Sequence, residues 1–77
     1  MNNWTRAERI AGVYKESYPK GTRVEVISMD DPRPIPPGTK GTVDIVDDMG
    51  TVHCTFDNGR RLGLIPNVDI FKKVWEE

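Results

Sequence analysis

Thr51-Val52-His53-Cys54-Thr55-Phe56-Asp57-Asn58-Gly59-Arg60-Arg61-Leu62-Gly63-Leu64 is the stretch that decides the fold. Val52, Cys54 and Phe56 alternate with Thr51, His53 and Thr55, the period of a strand with one buried face. Asp57-Asn58-Gly59-Arg60 is the strongest local signal in the chain. Asn-Gly between two alternating runs predicts a tight type I′ hairpin, with Arg61 to Leu64 as the returning strand.

Upstream, Val24 and Val26 alternate with Arg23 and Glu25 in a first strand. Ser28 to Gly38 holds four prolines and a glycine, a stiff loop with little ladder bonding. A second strand is expected over Thr39 to Asp47, with Val43 and Ile45 on one face. Asp47-Asp48-Met49-Gly50 reads as a turn. Downstream, Ile65 to Asp69 predicts a short 3₁₀-like turn and Ile70 to Trp75 a fifth strand. The fold class is mainly β with one N-terminal helix (α+β). Five short strands, one long loop and two tight hairpins predict an SH3-like five-stranded small barrel over residues 19–77.

The remaining segment, residues 1–18, has a period of 3.6. Trp4, Ala7, Ala11, Tyr14 and Tyr18 form one stripe of a helix from about Asn3 to Tyr18, widened by Ile10 and Val13. Thr5 and Glu8 have capping-box spacing, with Asn2 and Asn3 as alternative caps. Pro19 and Gly21 end the helix. Helix and barrel are read as one compact domain.

The chain has 77 residues. A domain of this size buries only about 60% of the surface its unfolded form exposes, so a lone core is marginal. Eleven Lys and Arg against twelve Asp and Glu give a net charge of −1, which argues against bulk duplex-nucleic-acid or membrane-surface binding. Residues 1–40 hold seven basic and five acidic residues, a net of +2. Residues 41–77 hold four and seven, a net of −3. Opposite-sign halves favour head-to-tail or side-by-side self-association. The N-terminus has no apolar signal-peptide core, and no apolar run approaches the roughly 20 residues of a membrane span. The single Cys54 forms no intramolecular disulfide, and a cytoplasmic location is expected.

The segment Tyr18 to Phe71 resembles an uncharacterised family of domains of unknown function, associated with Gram-positive bacteria, their phages and their conjugative elements. Tyr18-Pro19-Lys20-Gly21-Thr22-Arg23-Val24 and Met29-Asp30-Asp31-Pro32 carry the resemblance. So do Pro36-Pro37-Gly38-Thr39-Lys40-Gly41-Thr42-Val43, Asp57-Asn58-Gly59-Arg60 and Leu62-Gly63-Leu64-Ile65-Pro66. Phe56 stands where the family has a tryptophan. The resemblance implies an SH3-like barrel and supplies no activity or catalytic residue.

Nothing in the chain spells an active site. Cys54 and His53 are strand neighbours pointing to opposite faces, so they do not pair. Cys54 shares the apolar face and reads as a core thiol. His53 is solvent-facing or at an interface. Asp30-Asp31 and Asp47-Asp48 read as turn caps, with Asp30 also placed to anchor the proline loop or orient an arginine. Gly38-Thr39-Lys40-Gly41 lacks P-loop length and the helix that should follow it. One histidine and one cysteine build no structural zinc site. No metal or cofactor is expected.

Arginines and aromatics remain. Guanidinium forks grip phosphates and stack on bases. Arg60, Arg61, Asn58, Arg33, Asp30 and Tyr18 are the candidate ligand-binding residues. Trp4, Ala7, Ala11, Tyr14 and Trp75 are the candidate oligomer interface. The expected function is a non-enzymatic, self-associating phage or mobile-element protein that sequesters a phosphate-bearing, nucleotide-type signal and so blunts host defence. The alternative is an SH3-like adaptor for a protein or single-stranded nucleic acid in mobile-element replication or transfer.

Overall fold

Helix α1 spans Arg6–Ser17 and begins on a reciprocal cap. Thr5 Oγ1 accepts the Glu8 N–H at 3.1 Å, and Glu8 Oε1 accepts the Thr5 N–H at 3.2 Å. Two of the helix's orphan donors are thereby satisfied, so Thr5 is the N-cap. At the other end the Tyr18 N–H still reaches the Tyr14 carbonyl at 2.8 Å, before Pro19 stops the ladder. The computed structural model describes residues 5–75. Trp4 and the alternative caps Asn2 and Asn3 lie outside them.

Five antiparallel strands follow: β1 Arg23–Ser28, β2 Lys40–Val46, β3 Val52–Phe56, β4 Arg61–Leu64 and β5 Ile70–Lys73. They form one sheet in the order β4-β3-β2-β1-β5. Val24, Val26, Val43, Val46, Val52, Cys54, Phe56 and Leu64 fill its concave side. Among the described residues no ladder joins β4 to β5, so the sheet is open and the expected closed barrel is corrected to a coiled sheet. The coiling follows from chain length. A flat sheet would separate its edges by about 19 Å, four strand spacings. Ile65 to Asp69 connects those edges while folded into a turn, with the Val68 and Asp69 N–H groups both on the Ile65 carbonyl. Only a strongly curled sheet lets so short a link reach.

Two local expectations change. The Asn58-Gly59 hairpin is in place, but it is not type I′. The Gly59 N–H donates to the Phe56 carbonyl at 2.9 Å, and the Phe56 N–H to the Arg60 carbonyl at 2.8 Å. Gly59 has φ 90°, while Asn58 does not enter the left-handed region. The turn is therefore centred on Asp57-Asn58, one residue earlier, with Gly59 as a left-handed bulge residue. Asp47 to Gly50 repeats the pattern. The second change is in β2. Its register slips between Val43 and Ile45 opposite Cys54 and His53. The extra residue, Asp44, turns Ile45 out to 62% exposure and returns Val46 to the core, so Val43 and Ile45 do not share a face.

The proline loop contributes to the core as well. Ile35 is fully buried beneath the sheet, with its N–H against Met29 Sδ at 3.5 Å. Burial of such a side chain stabilises by roughly 1.5–3 kcal/mol. Gly41 is a site of close approach: a Cβ there would stand 2.6 Å from Phe56 Cδ1. The helix closes one end of the sheet. Ala11 is buried against Gly50, and Lys15 pairs with Asp48 at 2.6 Å. Tyr14 and Tyr18 stack with centroids 5.4 Å apart, and Phe71 meets Tyr18 edge-on at 5.5 Å and Tyr14 at a tilt at 6.3 Å.

Candidate functional site

Arg60 leaves the β3–β4 hairpin and reaches over the proline loop. Its Nη2 donates to the Arg33 carbonyl at 2.8 Å and its Nη1 to the Pro34 carbonyl at 3.3 Å. Asn58 Oδ1 accepts the Arg60 N–H at 3.0 Å, which sets the arginine's departure from the turn. Asp31 Oδ1 accepts the Arg33 N–H at 2.8 Å, an Asx turn that shapes the loop where Arg60 grips it. The structure thus brings Arg60, Arg33 and Asn58 together. It gives Arg60 a different task. Its fork is engaged on backbone carbonyls, and it positions the loop. Arg33 is exposed beside this junction, and Arg61, the next residue of the hairpin, is exposed on the opposite face, in register with Thr55.

Asp30 does not orient an arginine. Its backbone N–H is held by Asp69 Oδ1 at 2.9 Å, and Asp69 Oδ2 accepts the Ile65 N–H at 2.7 Å. Asp69 is buried, and both of its oxygens are satisfied. The residue that anchors the loop is therefore Asp69, which in sequence looks like an ordinary turn aspartate.

On the convex face, Arg23, Thr42, Thr55 and Arg61 form one registered row across β1 to β4. Arg23 meets Asp57 fork to fork, Nη1 to Oδ1 at 2.8 Å and Nη2 to Oδ2 at 2.7 Å, and Nη1 also reaches Thr42 Oγ1 at 3.0 Å. This guanidinium holds the Asp57 carboxyl below its ordinary range. Arg61, at the far end of the row, is the exposed arginine.

His53 finds a partner that the sequence reading missed. Its Nε2 lies 2.8 Å from Asp47 Oδ2, while Asp47 Oδ1 accepts the Met49 and Thr51 N–H groups. These bonds, the His53 contact first, hold the Asp47 carboxyl low. Asp47 is a turn cap, as expected, and a brace for His53. Cys54 lies in the core, where burial pushes its thiol up to about 12. A thiol so protonated is no nucleophile. Among the described residues no three His, Cys, Asp or Glu side chains are grouped to hold a metal ion.

Tyr18 is not at the Arg60 junction. It lies in the helix-to-β5 cluster, with Lys73 Nζ 5.0 Å from its ring centroid. Burial there, then Tyr14, raises its hydroxyl. Of the interface candidates, Ala11 is buried within its own chain and Tyr14 half-buried in the aromatic cluster. Ala7 is on α1, with its side chain outside the described set. Trp75 is 91% exposed. No helix among the described residues is long and apolar enough to cross a membrane.

Residues 6–74 match the model of a protein family described as a domain of unknown function, DUF4314. No curated protein and no solved structure matches the chain.

Proposed function

The chain belongs to the DUF4314 family of domains of unknown function, and from that premise we propose that it acts by binding alone, on an SH3-like coiled sheet. The strand order and the short β4–β5 link support the SH3-like reading. The ligand is an anion of nucleotide type, taken by the exposed Arg33 and Arg61 on either side of the β3–β4 hairpin. The mobile-element setting and the blunting of a nucleotide immune signal in the host cytoplasm belong to the same proposal. One observation carries the site: the Arg60 fork on the Arg33 and Pro34 carbonyls. It pins a loop already stiffened by proline, so the backbone that carries Arg33 needs little ordering when an anion arrives.

Calorimetry against cyclic dinucleotides and ADP-ribose tests the proposal. The expected result is heat that disappears in Arg33→Ala/Arg61→Ala while the fold persists. Absence of heat with every such ligand overturns it.

A second reading rests on a different surface. Ile65, Val68 and Ile70 are all exposed around the turn that Asp69 fixes. A rigid apolar ridge of this kind fits a protein partner, the adaptor reading. Recovery of one stoichiometric partner, lost in Val68→Asp/Ile70→Asp, is its test.

A further inference from the structure

The first turns of α1 carry Arg6 and Arg9, both exposed, at the positive end of the helix dipole where cations are disfavoured. Among the described residues neither guanidinium has a carboxylate partner. They line a shallow groove together with Ile10, Val13, Tyr14 and Asn67. Val13 is 60% exposed in it. The groove is therefore both apolar and cationic.

The chain carries a segment of complementary character. Trp75 is 91% exposed, and Glu76 and Glu77 follow it in sequence. An indole this exposed is uncommon on a free surface and frequent at interfaces. We propose that the Trp75-Glu76-Glu77 segment of one copy docks in the Arg6–Arg9–Val13 groove of a second copy. Trp75 covers Val13 and Ile10, and the two glutamates meet Arg6 and Arg9.

The contact forms between copies because of the way β5 runs. Asn67, just before β5, shares the groove with Arg6 and Arg9. Lys73, at the end of β5, lies on Tyr18, and Trp75 lies beside Glu16 and Ser17. Strand and helix thus run the same way, which puts Trp75 at the end of α1 opposite the arginines. Arg6 is ten helical residues from Glu16, about 15 Å at 1.5 Å per residue. The groove belongs to the half of the chain with net +2 and the tail to the half with net −3. The charge asymmetry thereby acquires a location. Groove and tail are different surfaces, so the association is head-to-tail, giving a ring or an open chain according to the rotation between copies. This gives the self-association expected from the sequence a pair of surfaces and does not depend on the ligand.

Sedimentation equilibrium on the full chain tests it. The wild type is expected to show a mass that rises with concentration and falls with added salt. Arg6→Glu/Arg9→Glu alone and Trp75→Ala/Glu76→Lys/Glu77→Lys alone are expected to be monomeric, with unchanged circular dichroism. Mixed together, the first supplies an intact tail and a reversed groove, and the second an intact groove without a tail. They should give a 1:1 dimer that grows no further. Arg6→Glu/Arg9→Glu/Glu76→Lys/Glu77→Lys, with both charges exchanged and Trp75 kept, should associate again. A wild type that is monomeric at millimolar concentration overturns the proposal. So does a closed dimer whose mass the groove variant leaves unchanged. Calorimetry on the monomeric variants reads ligand binding separately, so either reading can fail alone.

Discussion

Asp69 holds the backbone N–H of Asp30 at 2.9 Å across 39 residues of sequence. The same carboxylate holds the Ile65 N–H at 2.7 Å, so one buried side chain fastens the proline loop to the turn before the last strand. A carboxylate can do this because both its oxygens accept. Asp69→Asn keeps one acceptor and sets an NH₂ group against the other N–H. It is expected to destabilise the domain by about 1–3 kcal/mol, measured by urea unfolding. Faster hydrogen exchange at the Asp30 and Ile65 amides would locate the effect. Unchanged exchange at both would show that the two bonds do not hold the loop.

Arg60 and Arg61 are neighbours with different expected phenotypes. Arg60→Ala frees the Arg33 and Pro34 carbonyls to water and costs about 0.5–1.5 kcal/mol, with a more mobile loop. Arg61→Ala is expected to change stability by less than about 0.5 kcal/mol and to weaken anion binding sharply. Equal effects of both on stability would contradict the separation of roles.

Acid should undo the Arg23–Asp57 fork. The Asp57 carboxyl titrates lower in the folded state than in the unfolded chain. Its contribution is therefore fully present above the unfolded value, near 3.8, and is lost as pH falls through the folded one. Asp47, held low by His53, acts in the same direction. Unfolding measured from pH 7 to pH 2 should show the wild type converging on Asp57→Asn in acid. Curves that stay parallel would assign the destabilisation to something other than this ionisation.

Gly41 lies beneath Phe56. Gly41→Ala sets a methyl 2.6 Å from Cδ1 of the ring, and the backbone at Thr55 O, 3.1 Å away, has little room to yield. A loss of about 1–3 kcal/mol is expected in thermal or urea unfolding. Gly41→Ala/Phe56→Leu should lose less than the sum of the two single changes, since the smaller side chain vacates the contested space.

Cys54 is a built-in reporter of opening. With the thiol pushed up to about 12, only on the order of 10⁻⁴ of it is thiolate at pH 8, and burial blocks access besides. A thiol reagent should modify the native protein at the rate of global unfolding. Ile35→Ala, which empties the core beneath the loop at a cost of about 2–5 kcal/mol, should accelerate the reaction in proportion. Rapid labelling of the wild type would mean that the core opens locally at β3.

The parts legible in sequence were those carried by period and by turn chemistry. Val52, Cys54 and Phe56 announced β3, and Asn58-Gly59 marked the hairpin. The turn type was not legible, because an Asx bond to the Arg60 N–H and a left-handed Gly59 serve a bulged turn as well as a type I′ one. Val43 and Ile45 had the spacing of one face, and the Asp44 bulge broke it without any change of residue class. Ile35 was hidden among prolines, where no period exists to reveal which side chain points inward. At the candidate site, Arg33, Arg60 and Asn58 were recognisable by type. Arg60's partners are carbonyls, and carbonyls have no letter in a sequence.

The Asp69 clamp also dictates an order of events. A ribosome releases Asp30 and the rest of the proline loop long before Asp69 emerges. Until it does, the loop has no fastening at its base, and β5 is not yet there to pair with β1. Local hairpins such as β3–β4 can form during synthesis, but the proline loop after β1 is locked only by the turn before β5. Nascent chains that stall before Asp69 should therefore present the prolines and Ile35 to chaperones and proteases, and completion of the final strand removes that exposure in a single step.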